Sequence, residues 1–290
     1  MSIAVILSAL AAVSIFGASP VAAKLGLQGF TALELSILRT VIAGFVTLPL
    51  VFFTKIALPE GQQQKLLLII SAFCGFIGFP VLFTFGMELT SANHASIILA
   101  SLPIFTTAIA LIWDKRRPGT FWIIGCTIAL LGEYLLITGF TNTKGPSNTV
   151  GDLLVLASNV FASLGYVAGG RLQRQSYSAR NTTFIGVAIC AVFLLPVLFF
   201  ITDWQILQTA SPGAWFALLY IAIGVTIIGY VLWYWALGTG GIAKVGLFQF
   251  LQPVSGVILA SVLLHESLNL AFFVASSLVL SGVWIALKQK

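Results

Sequence analysis

The chain is written as apolar runs of about twenty residues separated by short polar stretches. Runs near 3–23, 33–54, 66–87, 94–113 and 120–139 are followed by a second set near 151–170, 181–201, 214–237, 243–264 and 268–287. A helix rises about 1.5 Å per residue, so roughly 20 apolar residues cross a hydrocarbon core of about 30 Å. The pattern therefore predicts an all-α integral membrane protein of ten transmembrane helices. The longest polar interruptions are 55–65 and 140–150, and the second (FTNTKGPSNTV) is rich in turn formers. It divides the chain into two five-helix halves, 1–140 and 151–290.

Composition agrees with that reading. Of 290 residues, 59% are hydrophobic and 8% charged, against roughly a quarter charged in soluble domains. The formal charge of +6 needs no nucleic acid to explain it, because the basic residues collect in short loops between apolar runs. Cys74, Cys126 and Cys190 lie inside those runs without metal-ligand spacing and read as packing residues; no cofactor is implied. The first run ends in Val21-Ala22-Ala23, which resembles a signal-peptide cleavage site. It lacks a basic n-region, however, and the repeat described next requires this helix, so it is expected to remain.

Setting residue n beside n+150 aligns the halves: Pro103 meets Pro253, Gly132 meets Gly282, Phe83 meets Trp233 and His94 meets Lys244. FPVLFTFGMELTSANHA falls beside GYVLWYWALGTGGIAKV without a gap. With five helices per half, the second half enters the membrane from the opposite side, predicting two inverted repeats around a central cavity. With the N-terminus inside, inner loops hold Lys55, Lys65, Lys115, Arg116, Arg117, Arg171, Arg174, Arg180, Lys244, Lys288 and Lys290, eleven basic residues against Lys24 and Lys144 outside. Both termini are therefore expected in the cytoplasm, with the protein multi-pass in the inner (plasma) membrane.

Three stretches carry a family resemblance: IFGASPVAAKLGLQGFTALELSILR, GDLLVLASNVFASLGYVAGGRL and LQPVSGVILASVLLHESLNLAFFVASSLVLSGVWIAL. With them the chain resembles the drug/metabolite transporter superfamily, EamA type, and is similar in length and aromatic content to YddG-type aromatic amino-acid exporters. The resemblance implies a cavity between the halves and export of amino acids or other small amphipathic metabolites. One departure is that the first half carries Asp114-Lys115-Arg116-Arg117 where the second has Glu266.

Candidate site residues are the polar and aromatic positions away from helix ends. Arg39 lies about two turns into the second helix; it either receives a substrate carboxylate, donates to neighbouring carbonyls, or snorkels outward. Glu34, about 140° around the same helix, is placed at the interface rather than against Arg39. Glu133 is neutral, pairs with Arg39, or couples protons. Asn159, Ser163 and Tyr166 share one face of the sixth helix, and Gln249 and Gln252 precede Pro253 in the ninth. Both stripes read as cavity lining or as interhelical glue. Tyr230 in the eighth helix and Phe79, paired with Phe83 in the third, read as cavity wall or interfacial belt. His94 and Lys244 read as interfacial, with gating as the other reading.

The expected function is export of small amphipathic metabolites, most simply amino acids and among them aromatic ones, by alternating access. The alternative is a broader, proton-coupled drug/metabolite or small-solute carrier. The partners are a small-molecule substrate and the bilayer; a monomer is sufficient. An intramembrane enzyme is disfavoured because the chain has two histidines and no GxSxG or HExxH, and no P-loop for a nucleotide-driven pump. A channel would need a filter or charge ring that is absent here, and a membrane scaffold would need no site.

Overall fold

The computed structural model describes residues 1–54, 56–90, 95, 98–140, 148–201, 205–255 and 270–288, leaving aside the side chains of 133, 136–140, 206, 207, 271 and 272. Among the described residues the secondary structure is entirely helical. Six helices are long and apolar enough to cross a membrane: α1 (Ile3–Gly26), α2 (Ala32–Phe53), α3 (Gln62–Leu89), α6 (Thr149–Arg174), α7 (Ala179–Ile201) and α8 (Pro212–Gly240). Between and after them come α4 (Leu102–Trp113), α5 (Thr120–Phe140), the short α9 (Ile242–Gly246) and α10 (Leu270–Leu287). Outward faces carry large apolar side chains such as Phe45, Phe52, Phe199, Phe216 and Trp284. That surface suits lipid and would be untenable in water.

Local chemistry sets the helix boundaries. Ser2 caps α1 by accepting from Val5 N at 3.4 Å. The helix breaks at Ala18, where Pro20 in the first turn of the next segment cannot donate backward. Helix α2 opens on a capping box in which the Thr31 side chain and Glu34 satisfy each other's backbone N–H groups. Glu34 is buried in that cap. Pro103 lies in the first turn of α4, which begins at Leu102; before it Ala95, Ile98 and Leu99 are also helical, and 91–94, 96 and 97 lie outside the described residues. Residues 243–264, expected as one run, begin as α9 and tighten into a 3₁₀ turn at Leu247–Leu251; the rest of that stretch, with His265 and Glu266, lies mostly outside the described residues.

Two departures from regular helix matter most. Helix α3 widens into a π segment at Cys74–Gly78, and α8 does the same at Tyr220–Gly229. In α3 the cause is legible: Pro80 has no N–H, so carbonyls one turn back lose their helical donor. Side chains supply it. Thr40 Oγ1 donates to Phe76 O at 2.8 Å, and Tyr230 Oη donates to Gly75 O at 3.0 Å. Position 74 plus 150 is 224, so the two π segments occupy matched places.

Packing partners pair off with the same offset. Helix α3 lies on α6 and α8 on α1, while α2 packs on α7 and α5 on α10. A Cβ at Gly125 would fall 2.5 Å from Gly282 O, and one at Gly132 would fall 2.8 Å from Ala275 O. Adding 150 to the first member of each pair and subtracting it from the second turns one contact into the other. At the centre Phe16 of α1 stacks on Tyr166 of α6, centroids 6.2 Å apart, and these two residues are themselves 150 apart.

Candidate functional site

The stripe on α6 divides between two tasks. Asn159 Nδ2 donates to Ile98 O at 2.7 Å and to Ser101 Oγ at 3.1 Å. Ser163 Oγ shares a 3.0 Å hydrogen bond with Thr106 Oγ1. These bonds dock α6 onto the start of α4, as interhelical glue does. The Asn159 Oδ1 atom, also buried, has no protein partner among the described residues.

Tyr166 belongs instead to an aromatic cluster between the halves. Tyr230 approaches Phe16 at 5.7 Å and Tyr166 at 5.6 Å, and Trp233 stands edge-on to Tyr166 at 5.8 Å. Tyr230, Trp233 and Tyr234 are fully buried, so these α8 aromatics form a core and not a headgroup belt. Ser71 Oγ donates to Tyr234 Oη at 2.9 Å, while Trp233 Nε1 lacks a protein partner among the described residues.

Gln249 sits in the 3₁₀ turn that packs on α1 and α4. It is 2% exposed, yet among the described residues neither its amide nitrogen nor its oxygen has a partner, and Gln252 Nε2 is in the same position. Burying an unmatched polar atom costs about 1–3 kcal/mol. The atoms on Asn159, Trp233, Gln249 and Gln252 are expensive as mere packing and suited to meeting a polar solute, and others of the kind lie on α5, α7 and α10 at Trp122, Asn181, Thr183 and Ser276.

Arg39 is buried at 5% exposure, which removes the snorkelling reading. Its Nε and Nη2 donate to Thr226 Oγ1 at 3.3 and 2.9 Å. Thr226 in turn donates to Ile221 O at 2.9 Å, five residues back in the π segment. Arg39 lines a narrow cavity of about 10 Å³, room for about one water molecule, with Phe79, Phe83, Thr84 and Ser19 among its walls. Phe79 and Phe83 stack at 5.4 Å. The Glu133 side chain and His94 lie outside what is described.

Each end of the bundle is tied across the halves. At one end Arg171 of α6 pairs with Asp114 at the close of α4, with Arg174 at 3.8 Å and Trp113 beneath Arg171 at 4.8 Å. At the other, Thr90 Oγ1 donates to Asp152 at 2.6 Å across the halves, and Lys24 donates to Met87 O at 2.7 Å within the first half.

The predicted residues thus fall in three neighbouring places: Arg39 and Phe79 at the cavity, Tyr166 and Tyr230 in the aromatic core, and Asn159, Ser163, Gln249 and Gln252 where α6 and the 3₁₀ turn meet α4. Sequence reading missed Thr226, whose only signal is a hydroxyl in an apolar run, and missed the π segments. Among the described residues no cluster of His, Cys, Asp or Glu has the makings of a metal site.

Comparison with known proteins adds a family. The profile of the EamA-like transporter family matches residues 3–138 and again residues 149–288. The chain is 32% identical over 273 residues to Uncharacterized transporter YdeK of Bacillus subtilis (strain 168), covering 93% of this chain and 92% of that one. It is 28% identical over 290 residues to a protein of Escherichia coli (strain K12) named "Probable amino-acid metabolite efflux pump", covering 96% and 92%. A solved crystal structure superposes with a TM-score of 0.78 at 17% identity, over 100% of this chain and 99% of the other; at that identity the likeness concerns the fold alone.

Proposed function

This chain belongs to the EamA-like transporter family, and we propose that it exports small amphipathic metabolites, above all amino acids, by alternating access between two inverted five-helix halves. It is a multi-pass membrane transporter; substrate, direction and mechanism are our reading. The observation that carries it is the set of buried, unpartnered polar atoms on Asn159, Gln249, Gln252 and Trp233, beside an aromatic core able to bury an apolar side chain. The exchange of contacts at an offset of 150 residues supports the inverted repeat, and the double match of the family profile supports it independently. The amino-acid metabolite named for the Escherichia coli relative supports the substrate class.

In this reading the two tied ends act in turn. Release of Asp114 from Arg171 and Arg174 frees α4 from α6 on the cytoplasmic side, while the contact of Thr90 with Asp152 holds the outer side closed. The reverse arrangement opens the outer side. Neither step requires nucleotide, since the inverted halves rock around one site.

The test is counterflow in liposomes holding purified protein and no ATP, with labelled amino acids as probes. Saturable exchange of at least one amino acid is expected, together with its loss in Gln249→Leu. Absence of flux for every amino acid and amphipathic metabolite tried, from protein that remains folded, would sink the proposal. Flux that strictly requires a clamped pH gradient would replace it with the proton-coupled carrier.

A further inference from the structure

The transport reading leaves one buried charge without a task. Arg39 is cationic and enclosed, and its hydrogen bonds among the described residues all reach one neutral atom, Thr226 Oγ1. Among the described residues no carboxylate lies within ion-pair distance of it. Charges within a bilayer protein are costly and ordinarily face a partner or a path.

The geometry around it is specific. Thr226 donates its own proton to Ile221 O, so its oxygen can only accept from Arg39. That fixes the guanidinium by Nε and Nη2. A guanidinium carries five N–H donors, so donors remain for the cavity that Arg39 lines. The cavity's other polar walls offer no competing cation and no donor. Ser19 Oγ donates to Phe16 O at 2.7 Å and Thr84 Oγ1 to Pro80 O at 2.7 Å. Nearby Lys24 is engaged by the Met87 and Thr90 carbonyls at 2.7 and 3.4 Å. One planar cation, held on one edge and facing stacked Phe79 and Phe83, matches a single planar anion with an apolar body. A phosphate dianion would want a second cation.

We infer that Arg39, positioned by Thr226, becomes the seat of a substrate carboxylate when this narrow cavity widens during transport, and that the transported compounds are monocarboxylates whose apolar part then lies against Phe79 and Phe83. The inference rests on the transport reading above and narrows its substrate class. The hydroxyl oxygens of Ser19 and Thr84 remain as acceptors, which suits a compound also bearing an ammonium group.

The experiment uses full-length purified protein and three matched sets of probes: the amino acids, their carboxamides, and the corresponding decarboxylated amines. Each is tested as a competitor in liposome counterflow and as a stabiliser against heat. On wild type, active compounds are expected to carry the carboxylate, with amide and amine at least tenfold weaker. Arg39→Gln is expected to bring acid down to the level of amide, and Arg39→Lys, which keeps the charge but not the fork, to recover part of the preference. Should Arg39→Gln fail to fold, Thr226→Val serves instead, weakening acids at least threefold and leaving amides unchanged. Amides or amines as effective as acids on wild type, or a carboxylate preference untouched in these variants, would overturn the inference while leaving transport standing. Absence of any flux would remove both.

Discussion

The close contact of α5 with α10 gives a stability experiment whose size can be worked from distances. A Cβ added at Gly282 would lie 2.5 Å from Ala129 N and 2.6 Å from Gly125 O. These are backbone atoms of a facing helix and cannot swing aside as a side chain tip would. Ordinary Cβ contacts begin near 3.4 Å, so the backbones must part by about 0.9 Å. A gap of that size forfeits a quarter to a half of each atom pair's dispersion attraction along the seam, and overpacking of this kind typically costs about 1–3 kcal/mol. Alanine's better helix propensity returns up to about 1 kcal/mol. Gly282→Ala is therefore expected to destabilise by about 1–2 kcal/mol. Gly213→Ala, whose added Cβ would meet only Ser211 Oγ at 3.8 Å, is expected to be neutral or slightly stabilising. The double variant Gly125→Ala/Gly282→Ala should cost at least 0.5 kcal/mol less than the two single effects combined, because the first substitution has already parted the helices. Reversible unfolding in mixed micelles, followed by tryptophan fluorescence, reads the wild type, the three single variants and the double variant. If Gly282→Ala matches Gly213→Ala within about 0.3 kcal/mol, the glycines are not what lets these helices touch and the reasoning fails.

Two further outcomes are expected. Reporter fusions at Lys144 and Gln289 should register the outer and the cytoplasmic side respectively; the same side for both would remove the odd helix count on which the inverted halves depend. Between α6 and α7, Tyr177 donates to Ala57 O at 3.0 Å, and burial pushes its phenol from 10.0 up to about 12. A phenol held neutral in the folded state contributes stability that is fully present below about pH 10 and is lost as pH rises through about 12. Stability should fall across that window in wild type and fall less steeply in Tyr177→Phe, measured by the same unfolding assay; identical profiles would refute the assignment.

Much of this was legible in the sequence because the bilayer makes it so. Apolar length predicts spans, and six of them stand as helices long enough to cross, whereas the capping box of Thr31 and Glu34 went unread. The individual site roles were less legible. Asn159 and Ser163 were readable as a stripe, but only coordinates reveal that α4 receives their hydrogen bonds. Tyr230 was ambiguous between wall and belt because sequence distance to a helix end does not measure depth; the structure places it in the core. The π segments were invisible because one extra residue per turn barely disturbs an all-apolar pattern. Nothing in the sequence says that Thr40 and Tyr230 would supply the donors that Pro80 lacks.

The stacked pair Phe16 and Tyr166 has a bearing on how such a protein is tuned. Under the mechanism proposed here, opening inward and opening outward are interchanged by the operation that carries one half onto the other. A side chain near the axis of that operation meets nearly the same surroundings in both open forms. Changing it shifts their energies together, and what alters is the height of the crossing between them. Residues at the two tied ends lack that equality, since each touches its partner in only one form. Turnover and resting bias are therefore adjustable at separate places in this chain, the first at Phe16 and Tyr166, the second at Asp114 and Asp152.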